Sequence, residues 1–349
     1  MELRHRHRCG HPAGGPVLNA RHESSSQPRP DRRTLLGGLG ATSVAALLAA
    51  CTPGPTSGEG TGSGEGPSSG RASPTPSPSP TPDPVPELPG GGTTLFPGRR
   101  MIALYGTPGT SSLGLLGEQD IDAALERAAD LAAEYQPFSE EPVIPAFEVI
   151  STVATAAPGP TGDYTTPVER ERLTEWVTQA GEADTYVVLD LQPGTQDFLT
   201  QAQMFEDLLV MPHVGLALDP EWRLKPGQRH MRQIGSVSAA EVNQVTAWLA
   251  GLVEEHRLPE KLVILHQFKL MMLPDREEIT SPDGLVIMVH ADGNGSPEQK
   301  QDTWRVLQQD LPRGWRLGWK NFIDEDSPTL TPEQTMTEVT PQPWFVSYQ

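Results

Sequence analysis

The chain has 349 residues, with 26 Lys and Arg against 45 Asp and Glu, which gives a formal net charge of −19. So acidic a protein lacks the basic surface that nucleic-acid binding requires, and charge alone does not draw it to anionic lipids. Two cysteines are too few for a disulfide framework or a thiolate metal cluster. Apolar residues make up 36%, with 34 Gly and 36 Pro, which indicates a folded domain joined to a low-complexity segment.

The first 50 residues have the organisation of an export signal. A polar, basic stretch reaches Arg32-Arg33, a weakly apolar run follows, and small residues precede Cys51. The paired arginines predict the twin-arginine export route, and Leu48-Ala49-Ala50-Cys51 resembles a bacterial lipobox, whose cysteine carries the lipid. The apolar run is too short to span ~30 Å of hydrocarbon. We therefore predict a signal peptide over 1–50, lipidation at Cys51, and an extracytoplasmic protein anchored by lipid to the outer face of the cell membrane.

Residues 51–94 form a predicted disordered linker. They are almost entirely Gly, Ser, Thr, Pro and Glu, and from Ser73 onward Pro alternates with Ser or Thr. Such a segment cannot bury enough apolar surface to fold, and its Pro-rich half favours polyproline II. We expect a spacer that holds the following domain away from the membrane.

Residues 95–349 alternate between strand-like and helix-like patterns. The strand-like runs are 101–106, 146–152, 185–192, 213–222, 261–268, 285–292, 315–322 and 344–349. The helical patterns are 119–135, 167–181, 196–209, 238–256, 296–311 and 331–339, whereas 269–284 is weakly helical at best. Eight such units in about 250 residues predict one (β/α)8 TIM barrel of the α/β class. An open doubly wound sheet is the alternative, but its Gly-rich first turn is missing after the first strand.

Strand parity places a set of polar side chains inside the predicted barrel. Barrel strands turn apolar residues to the helices, while inward residues become polar near the C-terminal rim. Burying so many polar groups would be costly unless they line a solvated site. Those on the inward parity are Tyr105, Glu148, Asp190, Gln192, Asp219, Glu221, His266, His290, Asp292 and Lys320.

Asp219-Pro220-Glu221-Trp222 is the most specific feature of this rim. Two carboxyl groups two residues apart on a strand project to the same side, and each raises the pKa of the other, which suits a general acid. Such an acid at the fourth barrel strand resembles glycoside hydrolases, including lysozyme-like and chitinase-like barrels. The resemblance implies Glu221 as the acid and Asp219 or Asp190 as its partner. Trp222 is either a sugar-stacking platform or a contact between barrel and helix.

The remaining candidates are substrate-binding residues: Tyr105, Gln192, Trp222, His266, His290, Asp292 and Lys320. We expect no cofactor. Many retaining barrel glycosidases place a nucleophilic carboxylate at the seventh strand, where this chain has Lys320, so an inverting or assisted mechanism, or a loss of catalysis, stays open.

Two other functions use the same residue types. A metal-dependent hydrolase would draw ligands from Asp190, Asp219, Glu221, His266, His290 and Asp292, although no His-x-His or H-E-x-x-H run is present. A lipoprotein that binds glycan without catalysis needs only the aromatic and amide groups. The partners we expect are therefore the membrane, through Cys51, and a cell-envelope or environmental glycan.

As a whole, residues 99–349 resemble uncharacterised barrel lipoproteins of actinobacteria. The resemblance implies the barrel fold and the location, and it implies no established activity. It is carried by Tyr105-Gly106, Leu189-Asp190-Leu191-Gln192-Pro193-Gly194, Asp219-Pro220-Glu221-Trp222, His266-Gln267-Phe268, His290-Ala291-Asp292-Gly293 and Ser347-Tyr348-Gln349.

Overall fold

The computed structural model describes residues 84–349, so the predicted export signal, the lipidation site and most of the predicted linker lie outside the described residues. The described strands are β1 (Arg100–Gly106), β2 (Val143–Ala154), β3 (Thr165–Pro167), β4 (Tyr186–Leu191), β5 (Val214–Leu218), β6 (Lys261–Gln267), β7 (Leu285–Ala291), β8 (Arg316–Asn321) and β9 (Phe345–Tyr348). The described helices are α1 (Ile121–Tyr135), α2 (Arg170–Glu182), α3 (Phe198–Gln203), α4 (Glu206–Leu209), α5 (Ala239–His256), α6 (Pro297–Leu307) and α7 (Pro332–Glu338).

Eight of these strands close into a parallel barrel. The order around it is β1, β9, β8, β7, β6, β5, β4 and β2, and β2 pairs in turn with β1. The short β3 is antiparallel and extends only the end of β2. Helices lie between most successive strands, so the predicted (β/α)8 barrel is confirmed and the open doubly wound sheet is excluded.

The two faces of each strand belong to different cores. Along β4, Val187 and Leu189 pack in the layer between barrel and helices, while Val188 packs inside the barrel. Asp190 shares the inward parity of Val188 and is fully buried. The alternation that strand parity predicts is therefore present.

Local capping fixes where the helices begin. Asp120 accepts a hydrogen bond from the Ala123 backbone N–H at the start of α1, and Ser238 does the same for α5. Ser296 and Thr331 form complete capping boxes before α6 and α7, each followed by proline at the first helical position. Among the residues that the structure describes, no helix combines the length and apolar character needed to cross a membrane.

Two stretches differ from the elements that the sequence predicts, and a third, residues 269–284, is as irregular as expected. The strand expected over 213–222 ends at Leu218, because Pro220 has no backbone N–H to donate and residues 220–222 form a 3₁₀ turn instead. The helix expected over 196–209 is split into α3 and α4. Residues 269–284, expected to be weakly helical at best, contain two short 3₁₀ turns.

The segment that precedes β1 packs against the N-terminal end of the barrel. Leu88, Leu95 and Phe96 are buried in the same cluster as the inward residues of the strands. The carboxylate of Glu260, just before β6, accepts a hydrogen bond from the Leu95 backbone N–H at 2.7 Å. Asp184, just before β4, accepts from the Gly90 N–H at 3.1 Å. The packed part of the chain thus reaches at least as far back as Leu88, before the expected domain start at 95.

Candidate functional site

A cavity of about 360 Å³ opens at the C-terminal end of the barrel strands. Seven of the ten residues predicted for catalysis or substrate binding line it: Tyr105, Gln192, Asp219, Glu221, Trp222, Asp292 and Lys320. The other three, Asp190, His266 and His290, are fully buried and contact residues at or just below the cavity floor. The structure therefore brings the whole predicted set to one end of the barrel.

Tyr105 and Lys320 form the centre of the cavity floor. The Tyr105 hydroxyl donates a hydrogen bond to the Asp190 carboxylate at 2.9 Å, below the cavity. The Lys320 Nζ lies 3.4 Å from the centroid of the Tyr105 ring and 3.1 Å from the Asp292 carboxylate. A buried cation between an aromatic face and a carboxylate is held in one place, so this part of the floor is preorganised.

Below the floor, His266 is surrounded by carboxylates. Its Nε2 lies 2.9 Å from Glu148 Oε1 and 3.7 Å from Asp190 Oδ1, and its Nδ1 lies 3.0 Å from Asp292 Oδ2. These separations are within ion-pair range. Nevertheless, both ring nitrogens and both Glu148 oxygens lack a partner in hydrogen-bond geometry.

His290 lies beside His266, because the two residues are register partners on β7 and β6. The ring centroids are 5.0 Å apart. The Nε2 of His290 is 3.2 Å from the Ser347 hydroxyl, and its Nδ1 is 3.8 Å from Glu148 Oε1. One ligand atom from each of Glu148, His266 and His290 lies within 4.8 Å of the others, so these three side chains could hold a metal ion.

The buried groups around His266 shift one another's pKa values, because they contact each other and are shielded from solvent. Burial alone would lower the pKa of His266, but Glu148, Asp190 and Asp292 raise it well above its usual value. Burial opposes ionisation of Glu148 as well, yet His290 and His266 lower its pKa to about 2. These shifts favour a Glu148 carboxylate beside a His266 imidazolium when no ion is bound.

The neighbouring groups complete this charge pattern. Although burial works against ionisation of both, Lys320 and His266 lower the pKa of Asp292, and Asp292 raises the pKa of Lys320. Burial lowers the pKa of His290 to about 4, which leaves that ring neutral. Asp292 and Lys320 thus form a buried ion pair at the floor.

Asp219 is a buried carboxyl group whose surroundings favour the protonated form. Burial raises its pKa well above the usual range, and the neighbouring carboxylates of Asp190, Asp292 and Glu221 add to the effect against the opposing charge of His266. Burial also raises the pKa of Asp190, to about 6. Asp219 lines the cavity, so a carboxyl group whose raised pKa favours the protonated form faces the space where a ligand would bind.

The loop after β5 places two carboxyl groups in different environments. Asp219 is 2% exposed, and its side chain accepts a hydrogen bond from the Glu221 backbone N–H at 3.1 Å. Glu221 lies on the 3₁₀ turn, is only partly buried and also lines the cavity. The spacing predicts that the two carboxyl groups project from one straight strand, and this is wrong because the strand ends before them. Both groups nevertheless face the cavity.

Trp222 belongs to the cavity wall. It is partly buried, and its ring centroid lies 5.2 Å from that of His230, whose own Nε2 is 3.0 Å from the Tyr164 carbonyl. The sequence leaves two roles open for Trp222, a stacking platform for sugar or a contact between barrel and helix. Its position in the cavity wall agrees with the first role. Gln192 has a structural contact, since its side-chain oxygen accepts from the Ala154 backbone N–H at 3.0 Å.

Some residues of the site are not among those predicted for catalysis or binding. Glu148 has the inward parity but no predicted role, and Ser347 shares the parity of buried Phe345 on β9, so strand alternation could have indicated it. His230 and Met231 line the cavity from an irregular loop. No periodic pattern in the sequence marks such a loop as part of the rim.

Comparison with known proteins adds little to this geometry. No protein-family model matches the chain, and no curated protein sequence does. Among solved structures the chain is similar to a dihydropteroate synthase from Anaplasma phagocytophilum with bound 6-hydroxymethylpterin-monophosphate, at 14% identity over 72% of this chain and 93% of that one. The TM-score is 0.27, which is too low to support any argument about function. The barrel itself rests on the strand order described above.

Proposed function

We propose that the chain is a cell-surface lipoprotein whose barrel binds glycan and hydrolyses glycosidic bonds. The observation that carries the proposal is the pair of carboxyl groups, Asp219 and Glu221, on one loop of the cavity. Asp219 is buried and has a raised pKa, and Glu221 is partly exposed. Glycosidases use such a pair, a carboxylic acid beside the scissile oxygen and a second carboxylate that acts on water or on the anomeric carbon.

The environments of the two groups assign their roles. The raised pKa of Asp219 favours its protonated form, so we assign it as the general acid that donates this proton to the glycosidic oxygen as the C–O bond breaks. Glu221 is then the second carboxylate, which takes the proton of the attacking water. This assignment exchanges the roles expected from the sequence. The overall step adds one water across the bond and returns the proton from Glu221 to Asp219 through solvent.

The cavity has the size and lining of a small-ligand site. Its volume lies at the lower end of the range for small-molecule pockets, and Trp222, Met231 and Phe322 supply apolar surface beside the charged floor. Sugars present an apolar ring face and polar edges. An aromatic wall above carboxylate, amide and ammonium groups matches both.

The proposed location rests on the sequence alone. The lipobox ending at Cys51, the paired arginines and the Pro-rich spacer support export and lipid anchoring, and the overall resemblance to actinobacterial barrel lipoproteins supports the same location. A barrel held outside the cell by a long tether reaches envelope or environmental glycans. We therefore propose such polymers as the substrate class.

Turnover of a panel of envelope and environmental glycans by the full-length chain tests the proposal. Asp219→Asn and Glu221→Gln keep size and remove the titratable proton, and each should lower turnover by about 10²–10⁴-fold. Glu171→Gln removes an exposed carboxylate of α2 and serves as the matched control, with an unchanged rate. Full activity in Asp219→Asn would contradict the assigned acid.

The other outcomes separate the competing functions. Glycan binding in the cavity with no turnover by the wild type would identify a binding lipoprotein and overturn hydrolysis. Turnover that is lost on chelation, restored by a divalent ion and kept in both Asp219→Asn and Glu221→Gln would identify a metal-dependent hydrolase in its place.

A further inference from the structure

We propose that Glu148, His266 and His290 form a binding site for one divalent transition-metal ion beneath the floor of the cavity. The three residues project inward from β2, β6 and β7 and are all fully buried. The inference is independent of the proposed glycan hydrolysis, because it concerns what these three side chains bind rather than which bond the cavity cleaves.

The ligand atoms are close to the arrangement that a metal requires. Glu148 Oε1 lies 2.9 Å from His266 Nε2 and 3.8 Å from His290 Nδ1, and no pair among the three ligand atoms exceeds 4.8 Å. Ligands about 2.0–2.2 Å from a tetrahedral zinc ion lie on the order of 3.5 Å apart. Small side-chain rotations therefore suffice to close the site around an ion.

The proposed ligand atoms lack well-formed hydrogen bonds. Both oxygens of Glu148, the Nε2 of His266 and the Nδ1 of His290 are buried without a partner in hydrogen-bond geometry, although Glu148 and His266 lie within ion-pair range of each other. Buried polar atoms nearly always have a hydrogen-bond partner, and a buried polar atom that lacks one costs about 1–3 kcal/mol. The convergence of these atoms on one point therefore indicates a ligand site.

Groups outside the three ligands would hold the imidazoles in the required orientation. Asp292 lies 3.0 Å from His266 Nδ1, and Ser347 lies 3.2 Å from His290 Nε2. Each outer contact is to the ring nitrogen that would not bind the ion. Carboxylate and hydroxyl contacts of this kind fix the tautomer and the ring plane of histidine ligands.

The local charge also matches a divalent cation. Glu148, Asp190 and Asp292 bring three carboxylates to this region, against the single ammonium of Lys320. When both imidazoles are neutral, two negative charges remain, which one divalent ion offsets, so binding the ion releases the proton of His266. Asp190 Oδ1, which is itself without a hydrogen-bond partner, lies 3.7 Å from His266 Nε2 and offers a further oxygen nearby.

The backbone of β8 leaves room for one of the ligands. A Cβ at Gly318 would lie 2.7 Å from Cδ2 of His290, closer than real side chains approach. Glycine at this position is therefore needed for the observed place of the His290 ring. Two imidazoles and one carboxylate are ligands that zinc and neighbouring first-row ions prefer, whereas magnesium and calcium prefer oxygen.

Metal binding to the full-length chain tests the site without any measurement of activity. The protein is treated with chelator and dialysed, then titrated with Co²⁺ as a spectroscopic probe and with Zn²⁺ in thermal unfolding. We expect one Co²⁺ per chain with visible d–d absorption, and a midpoint of unfolding that rises with Zn²⁺ and not with Mg²⁺.

Variants locate the binding. Glu148→Gln and His290→Gln should weaken Co²⁺ binding by more than 100-fold, and Ser347→Ala, which removes only the outer contact to His290, should weaken it by about 10-fold. His256→Gln, at the exposed end of α5, is the matched control and should bind as the wild type does. Circular dichroism of each variant establishes that it has folded.

Two results would overturn the inference. One is the absence of stoichiometric Co²⁺ absorption and of any Zn²⁺-dependent shift in a folded wild type. The other is binding that Glu148→Gln, His290→Gln and Ser347→Ala leave unchanged, since the ion would then be held by the acidic surface or by cysteine thiols. Because glycan turnover is not measured, failure here leaves the proposed hydrolysis to be judged by its own experiment.

Discussion

The ammonium of Lys320 lies 3.4 Å from the ring centroid of Tyr105. The cation therefore covers the face of a ring whose hydroxyl, at the other end, donates to Asp190. A single pair of residues thus connects the cavity floor with the carboxylates below it. Substitution of Tyr105 or Lys320 should therefore affect both the cavity floor and the carboxylates beneath it.

Removing the buried cation should be strongly destabilising. Lys320→Met leaves Asp292 and the carboxylates beneath it without their ammonium, and a buried ion pair that loses one partner costs about 3–5 kcal/mol. The free energy of unfolding, from urea denaturation at neutral pH, measures the loss. Lys225→Met, at an exposed lysine, is the control and should change stability by no more than about 0.5 kcal/mol. Equal stability of the two variants would show that Lys320 is not needed for charge balance.

Tyr105→Phe should change the titration of Asp190. The variant keeps the ring under Lys320 but removes the hydroxyl that donates to the carboxylate and lowers its pKa. We expect the pKa of Asp190 to rise further above its present value of about 6. Carbon-13 NMR of the side-chain carboxyl, recorded as a function of pH, follows this group. A pKa that is unchanged or falls would mean that the hydroxyl does not stabilise the carboxylate.

Lys261 should make stability depend on pH. Burial lowers its pKa from 10.5 to about 7, and its Nζ donates to the backbone carbonyls of Met211 and Val214. Between these two pKa values the unfolded chain binds more protons than the folded one, so the contribution of Lys261 to the free energy of unfolding rises with pH. Below about pH 7 both states are protonated and the penalty for burying the charge is present in full.

Lys261→Met removes this contribution. From pH 7 to pH 9 the free energy of unfolding of the wild type should gain on that of the variant, by at most ~1.4 kcal/mol per pH unit. Urea denaturation at several pH values gives both slopes. Lys225→Met should keep the wild-type slope, and a Lys261→Met slope equal to it would contradict the buried, low-pKa lysine.

Trp222→Ala should weaken glycan binding if the cavity wall is a stacking surface. We expect at least a 10-fold loss of affinity with little change in the folded state, because the side chain is only partly buried. Calorimetric titration with the best ligand of the glycan panel measures the affinity. Trp248→Ala, at another partly buried tryptophan, which lies on α5 outside the cavity lining, should bind as the wild type does. Equal affinity of the two variants would place Trp222 outside the binding surface.

Cys51→Ala should abolish lipid attachment. The lipobox predicts that this cysteine carries the acyl chains, so labelling of cells with a palmitate analogue should mark the wild-type protein and not the variant. Cys9→Ala is the control, since Cys9 lies in the predicted signal peptide. A labelled Cys51→Ala protein, or a wild type released freely into the medium, would contradict the anchor.

The barrel and much of its site could be predicted because strand parity is a strong constraint. Asp190, His266 and His290 follow apolar residues on the inward parity of their strands, so the alternation alone places them inside. The same rule fails for Glu221, since Pro220 ends the strand and a 3₁₀ turn carries the residue. His230 could not be found this way at all, because the path of an irregular loop depends on the whole fold and not on a local period.

The protonation of Asp219 is a second property that spacing does not determine. The sequence places two carboxyl groups near each other, and the expected acid is Glu221. Only the three-dimensional structure shows that Asp219 is the more buried of the two, which raises its pKa. Local sequence therefore identifies the pair, while the tertiary structure assigns the roles.

The chain enters the barrel at the pole opposite the cavity. Leu88, Leu95 and Phe96 fill the N-terminal end, and the cavity opens where the strands finish. The described part of the chain therefore begins at the end of the barrel opposite the mouth of the cavity. Residues 84–99 do not line that mouth, so this segment leaves the approach of a long polymer to the cavity open.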